Sequence, residues 1–188
     1  MRKFKDLYST GDVAKICGVT INTVVKWFEA GELEGRRTSR TGARRITRKS
    51  LFSFLKRQGF PPETAARERF RIIVVDDDKA AISLFRRSFR NDSGYMVNTT
   101  SSSFEAGLLA ERLKPNVVFV DVNLKSIETM ELAKHLRDVA NGQDMLVVAV
   151  GLRLGEKRRE ELSKHFDAVL TKPLEASKMK KIIAACSS

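Results

Sequence analysis

Two groups of residues have the types and spacing to do chemistry. Asp76, Asp77 and Asp78 follow one apolar run, Asp121 follows a second, and Lys172-Pro173 follows a third. Carboxylates gathered in one place raise one another's pKa unless a cation joins them, and hard oxygen ligands of this kind suit Mg²⁺. A lysine beside them could offset the remaining charge or hold a phosphoryl oxygen. Asp78 has a second reading, because an aspartate after a strand also caps the next helix. The other group is cationic: Arg36, Arg37, Arg40, Arg44 and Arg45 surround a Ser-Arg-Thr-Gly turn. Guanidinium groups fit phosphates bidentately and enter narrow minor grooves. Crowded onto one hairpin, they repel each other unless a polyanion neutralises them.

Different kinds of chain must position the two groups. From Phe70 onward, residues 72–75, 95–98, 117–120, 146–150 and 168–170 read as short buried strands, the second of them weaker. Amphipathic stretches lie between and after them, near 80–90, 104–113, 128–139, 156–165 and 175–184. Repeated strand-then-helix units predict an α/β fold, a parallel sheet with helices on both faces and its chemistry at the carboxyl ends of the strands. The aspartates and Lys172 stand at such ends.

The segment Tyr8 to Phe28 is punctuated as two short helices. Thr10 reads as the first N-cap, and Val13, Ala14 and Cys17 supply an apolar face. Gly18 ends that helix, Thr20 caps the next, and Gly31 closes it. The solvent side of the second helix carries Asn22, Thr23 and Lys26, which can reach base edges or phosphates. A β-hairpin with Gly42 near its tip and a third helix over Arg48–Arg57 complete the segment. Trp27 reads as core. Gly59 and Pro61-Pro62 mark a seam, giving a first domain over 1–58, a linker over 59–69 and a second domain over 70–188.

Composition narrows the classes. The 188 residues carry a net charge of +12, with 42% hydrophobic and 31% charged residues, which argues against wholesale disorder. Residues 1–69 hold 16 Lys+Arg against 7 Asp+Glu, so most of the excess sits there. A basic face on a small unit is the footprint of a polyanion partner. Cys17 and Cys186, far apart, exclude a disulfide scaffold and fit a reducing compartment. No run approaches the ~18 apolar residues of a membrane span, and the start lacks a signal-peptide core. A cytoplasmic protein with no membrane partner is expected. An enzyme is not: there is no phosphate-cradling glycine loop, His135 and His165 lie in helical stretches without evident partners, and neither cysteine sits in a reactive motif.

Tyr8-Ser-Thr-Gly-Asp-Val-Ala14, Gly18-Val-Thr-Ile-Asn-Thr-Val-Val-Lys-Trp27, Gly31-Glu-Leu33 and the hairpin ending Arg45-Ile46 resemble the winged helix-turn-helix of the MerR/excisionase superfamily. The resemblance covers Tyr8 to Leu55. It implies double-stranded DNA as partner, with the second helix in the major groove and the hairpin wing on the flanking backbone or minor groove. It nominates Thr20, Asn22, Thr23 and Lys26 on the helix, and Arg36, Arg37, Arg40, Arg44 and Arg45 on the wing.

Val74-Val-Asp-Asp-Asp78, Val118-Phe-Val-Asp-Val-Asn-Leu124 and Leu170-Thr-Lys-Pro173 resemble the receiver domain of two-component response regulators, from about Phe70 to Ala185. This resemblance implies a flavodoxin-like (βα)5 fold with a five-stranded parallel sheet. It implies Asp121 as phosphoryl acceptor, Asp77 as a Mg²⁺ ligand, Asp76 as its water-linked partner, the Asn123 carbonyl in the same metal shell with Asp121, and Lys172 on the phosphoryl group. A sensor histidine kinase as donor and a homodimer through the receiver, by way of 156–165 and 175–184, belong to the same expectation.

The departures from the receiver pattern are specific. Val150 stands where a Ser or Thr is usual, Val169 where an aromatic is usual, Lys125 in place of Pro and Thr129 in place of Gly. Three readings follow. One is a DNA-binding transcriptional regulator phosphorylated at Asp121. Another is a phosphorylation-independent regulator whose receiver serves as a dimerisation or protein-binding module. The third is an architectural, excisionase-like DNA-bending protein.

Overall fold

The computed structural model describes residues 7–39, 42–61, 64, 69–90, 94–125, 128–141 and 145–185. They form two compact units, one within residues 3–69 and the other from Phe70 onward.

In the first unit β1 (Leu7–Ser9) leads directly into α1 (Thr10–Cys17), followed by α2 (Ile21–Glu29), β2 (Gly35–Arg37), β3 (Arg44–Thr47) and α3 (Arg48–Arg57). The N-cap of α1 is Ser9, one residue before the expected Thr10. Ser9 keeps extended backbone, its Oγ accepts the Asp12 N–H at 3.1 Å, and Asp12 Oδ2 accepts the Ser9 N–H at 2.9 Å. That reciprocal pair satisfies two donors that a helix start otherwise leaves open. Gly18 ends α1 at φ 67°, and its N–H reaches the Ala14 carbonyl. A side chain would be strained in that left-handed conformation.

The turn lets α2 fold back, so that Val13, Ala14 and Val24 meet Tyr8, Leu33, Ile46, Leu51, Phe54 and Leu55 in one core. Trp27 joins this core, its ring centroid 4.6 Å from that of Phe54. The three strands form an antiparallel sheet in the order β1-β3-β2. Sequence patterning predicted only the hairpin. β1 is three residues long, too short for alternation to show, and its Tyr8 lies opposite Ile46.

The second unit alternates β4 (Phe70–Val75), α4 (Lys79–Phe89), β5 (Tyr95–Thr100), α5 (Ser103–Leu113), β6 (Val117–Asp121), α6 (Thr129–Ala140), β7 (Leu146–Leu152), α7 (Glu156–Ser163), β8 (Ala168–Lys172) and α8 (Ala176–Ala185). All strand pairs are parallel, in the order β5-β4-β6-β7-β8. Ile73, Val75, Val118, Val120, Val147 and Ala149 point to one face and bury Ala106, Ala110, Leu132, Leu136 and Leu162 from α5, α6 and α7. On the opposite face Phe85 of α4 packs on Phe119, centroids 4.8 Å apart, and α4 neighbours α8. With both faces covered, the central strands carry unbroken apolar runs. Among the described residues no helix is long and apolar enough to cross a membrane.

Candidate functional site

The first unit presents a helix and a hairpin. Thr20 Oγ1 accepts the Thr23 N–H at 3.2 Å and lies 2.9 Å from the Thr23 hydroxyl. Both threonines thus serve the N-terminus of α2. Asn22 and Lys26, four residues apart, share its exposed side, while Thr23 is half-buried. Ile21, beside Asn22, is 53% exposed. Sequence reasoning passed over it because an isolated isoleucine in a helix reads as core.

The wing arginines do not behave as a uniform repulsive cluster, and here the expectation needs correcting. Cross-strand pairing sets Arg37 against Arg44 and Arg36 against Arg45. Glu29, the last residue of α2, sits between the first pair. Arg37 Nη2 lies 2.6 Å from both of its oxygens, and Arg44 donates through Nε at 2.7 Å and pairs through Nη2 at 2.6 Å. The hydrogen bond from Arg44, opposed by a little desolvation and aided by the charge of Arg37, holds the Glu29 carboxyl below the usual range. The Arg44 guanidinium also stands 6.0 Å above the Phe28 ring. Arg36 is exposed and Arg45 half-buried, and neither has an ion pair among the described residues. Arg40 lies outside the described residues.

Cys17 has no part in this surface. It is half-buried, and burial pushes its thiol up to about 11. A raised thiol pKa leaves about a thousandth as thiolate at pH 8. Iodoacetamide followed by peptide mapping should therefore leave Cys17 largely unlabelled at pH 8 in the folded protein, with labelling rising only toward pH 11.

In the second unit the topology brings the sequence-nominated acids and lysine together. β4 and β6 are neighbours, so Asp76 and Asp121 emerge side by side, and both are buried. Lys172, the last residue of β8, reaches across the end of β7. Its Nζ lies 2.7 Å from Asp121 Oδ2, 3.0 Å from Asp76 Oδ2 and 3.6 Å from Asp78 Oδ2. Asp77 is exposed at the mouth, and oxygens of Asp76, Asp77 and Asp121 all lie within 4.8 Å of one another. Asp78 fills both roles considered for it: it caps α4 by accepting the Ala80 N–H at 2.8 Å, and it faces Lys172.

Electrostatics follow from this packing. Burial pushes the Asp76 carboxyl above its ordinary value, although the Asp78 N–H and Lys172 pull it down. Burial works against the charge on Lys172, but the hydrogen bonds it donates to Asp121 and Asp76 prevail and lift its pKa. Asp78 is lowered, chiefly by the Ala80 N–H.

The loop after β6 is held from two sides. The Asn123 N–H donates to Asp121 Oδ1 at 2.8 Å, and the Asn123 side-chain oxygen accepts the Leu152 N–H at 2.6 Å. That second contact was not legible in the sequence. Val150 lies in register with Asp121, fully buried, and offers the pocket no hydroxyl. Val169 packs half-buried against the core, Lys125 is exposed, and Thr129 begins α6, buried.

The donor set fits a hard dication. Three carboxylates and one ammonium group leave an excess of two negative charges, and every ligand atom offered is oxygen.

A five-stranded parallel sheet with buried aspartates and a lysine at its carboxyl edge defines a receiver-type protein, here preceded by a helix-turn-helix unit. The chain belongs to the response regulator receiver domain family, whose model matches residues 72–184, and residues 7–59 match a helix-turn-helix domain of excisionase/MerR-like type. Neither of the two matched families is enzymatic.

A response regulatory protein of Yersinia pestis is 29% identical over 118 residues, 62% of this chain and 48% of that protein. The alkaline phosphatase synthesis transcriptional regulatory protein PhoP of Bacillus subtilis is 37% identical over 67 residues, 36% of this chain and 28% of that protein. The chain thus spans half or less of the length of these curated relatives.

Among solved structures, the receiver domain of a Luxo repressor protein from Vibrio parahaemolyticus aligns at TM-score 0.56 and 18% identity, over 63% of this chain and 90% of its own. The receiver domain of a sensor histidine kinase from Pseudomonas aeruginosa aligns at 0.56 and 20% identity, over 64% and 99%. That structure is described with a magnesium ion in its active site cleft.

Proposed function

We propose that this chain is a cytoplasmic DNA-binding transcriptional regulator whose second unit accepts a phosphoryl group on Asp121. The supporting observation is the pairing of buried Asp121 with Lys172 at 2.7 Å, at the edge where the acidic oxygens converge. An Asp121 oxygen attacks phosphorus, a new O–P bond forms, and the donor leaves with the electron pair of its own broken bond. A histidine kinase phosphohistidine is the donor that the family suggests. Asp76, Asp77, Asp121 and the Asn123 carbonyl would hold Mg²⁺, which would neutralise charge on the phosphoryl oxygens. Lys172 orients the transferred group. Asn22 reads the base edges of the duplex, with Lys26, Arg36 and Arg45 on its backbone.

Incubation with acetyl phosphate and Mg²⁺, followed by intact-mass analysis, should add one phosphoryl group to the wild type and none to Asp121→Asn. An unlabelled wild type, beside a control receiver that labels, overturns this reading. Buried Val150 favours a second one, in which the receiver works without phosphorylation as a dimerisation or protein-binding module. In that case duplex affinity and oligomeric state are the same with and without phosphodonor.

A further inference from the structure

The groove between α5 and α6 shares no lining residue with the acidic pocket. It has a volume of about 580 Å³. Phe104 and Leu108, one helical turn apart on α5, stand over it at 76% and 51% exposed. Large apolar side chains exposed side by side on a rimmed surface mark an interaction site.

Gly107 lies between them, and a Cβ there would come 3.2 Å from His135 Nε2 of α6. Gly107 is buried, and its lack of a side chain lets the His135 ring of α6 pack close against α5 at the floor of the groove. Its charge runs against the rest of the molecule. Glu111 lines one wall, Glu128 and Glu131 line the other, and no lysine or arginine among the described residues lines it, in a chain with 35 Lys+Arg against 23 Asp+Glu. The depression on the far side of α6 is different, with Lys134, Arg137 and Lys164 in its wall.

The charge selects the occupant. A second copy docking through this same patch would set these glutamates against their own counterparts, a like-charge juxtaposition that disfavours pairing. A segment with apolar residues along one stripe and cations on both flanks meets complementary groups on both walls. We propose that the α5–α6 groove docks a cationic amphipathic helix from another protein. Apolar side chains at i, i+3, i+4 and i+7 of that helix seat on Phe104 and Leu108, and its lysines or arginines reach Glu111, Glu128 and Glu131.

The test uses the full chain and a labelled helical peptide with leucines on that stripe and lysines on both flanks. A twin peptide carries glutamines in place of the lysines. By fluorescence anisotropy the lysine peptide should bind about tenfold or more tighter than its twin, against the repulsion of a chain at net +12. Glu111→Lys with Glu131→Lys should abolish that preference. Phe104→Ser with Leu108→Ser should weaken both peptides by about tenfold or more. All four positions are exposed, and circular dichroism checks that each variant folds. Equal affinity for the two peptides, or lysine-peptide binding unchanged by the charge reversals, overturns the proposal. So does a self-association of the free chain, seen by sedimentation velocity, that Phe104→Ser dissolves, because the groove then belongs to a second copy.

Discussion

Lys172→Ala should destabilise the second unit by about 3–5 kcal/mol near neutral pH in the presence of a chelator. Lys172 is only 13% exposed and is the cation between Asp76 and Asp121, whose side chains are 2% and 6% exposed. Removing one partner of a buried ion pair leaves the other charge without compensation, the costliest way to break such a pair.

The sign of the pH dependence follows from the shifts. The pKa of Lys172 is raised on folding, so its contribution is fully present below the ordinary lysine value and is lost as pH climbs through the raised one. Asp76 is also raised, so its burial favours the protonated form, and lowering the pH toward its pKa relieves the strain. The variant should therefore recover part of its deficit on acidification. It should also gain more from added Mg²⁺ than the wild type does, because a dication would replace the missing charge. The only tryptophan, Trp27, lies in the first unit, so hydrogen exchange over β4 and β6 is the suitable readout. A wild-type exchange pattern in the variant would show that Lys172 does not neutralise the pocket.

Duplex binding should respond in opposite directions to two kinds of substitution. Each phosphate contact contributes a log–log salt slope of about −0.9, so Lys26→Ala or Arg36→Ala should flatten the slope by about one unit and weaken all sequences alike. Asn22→Ala, on a base edge, should cost about 1–3 kcal/mol on the cognate site and relax discrimination at one position. Glu29→Gln should do the reverse of the cation deletions. With Glu29 neutral, Arg37 and Arg44 lose their internal anion and become available to phosphates. Non-specific affinity at low salt should rise, and the slope should steepen by up to about two units. Fluorescence anisotropy on cognate and scrambled duplexes across a salt series separates these outcomes. A Glu29→Gln slope equal to the wild type's would mean that these two arginines never approach the duplex.

The central strands β4, β6 and β7 were legible because both sheet faces are buried there, which turns each one into an apolar run, while the half-buried edge strand β5 gives a weaker pattern. Strand ends were not: β4 begins at Phe70, two residues before its run, because Phe70 pairs with Tyr95, and β8 continues through Lys172. The acidic pocket was legible because strand order alone brings Asp76, Asp77, Asp121 and Lys172 to one edge. Ser9 was misassigned in favour of Thr10 although Ser9-Thr-Gly-Asp12 already has capping-box spacing. The Glu29 contacts had no sequence signal. They join residues eight and fifteen positions apart, and only the placement of the hairpin against α2 creates them.

Asn123 has a mechanical consequence. One short residue bonds the Asp121 carboxylate through its amide and the Leu152 amide through its side chain. Displacing that loop must either drag the end of β7 along or strand the Leu152 N–H without its acceptor. The residue is a tie-rod, and any occupant that pushes on it loads the rim where Leu152 protrudes, half in solvent.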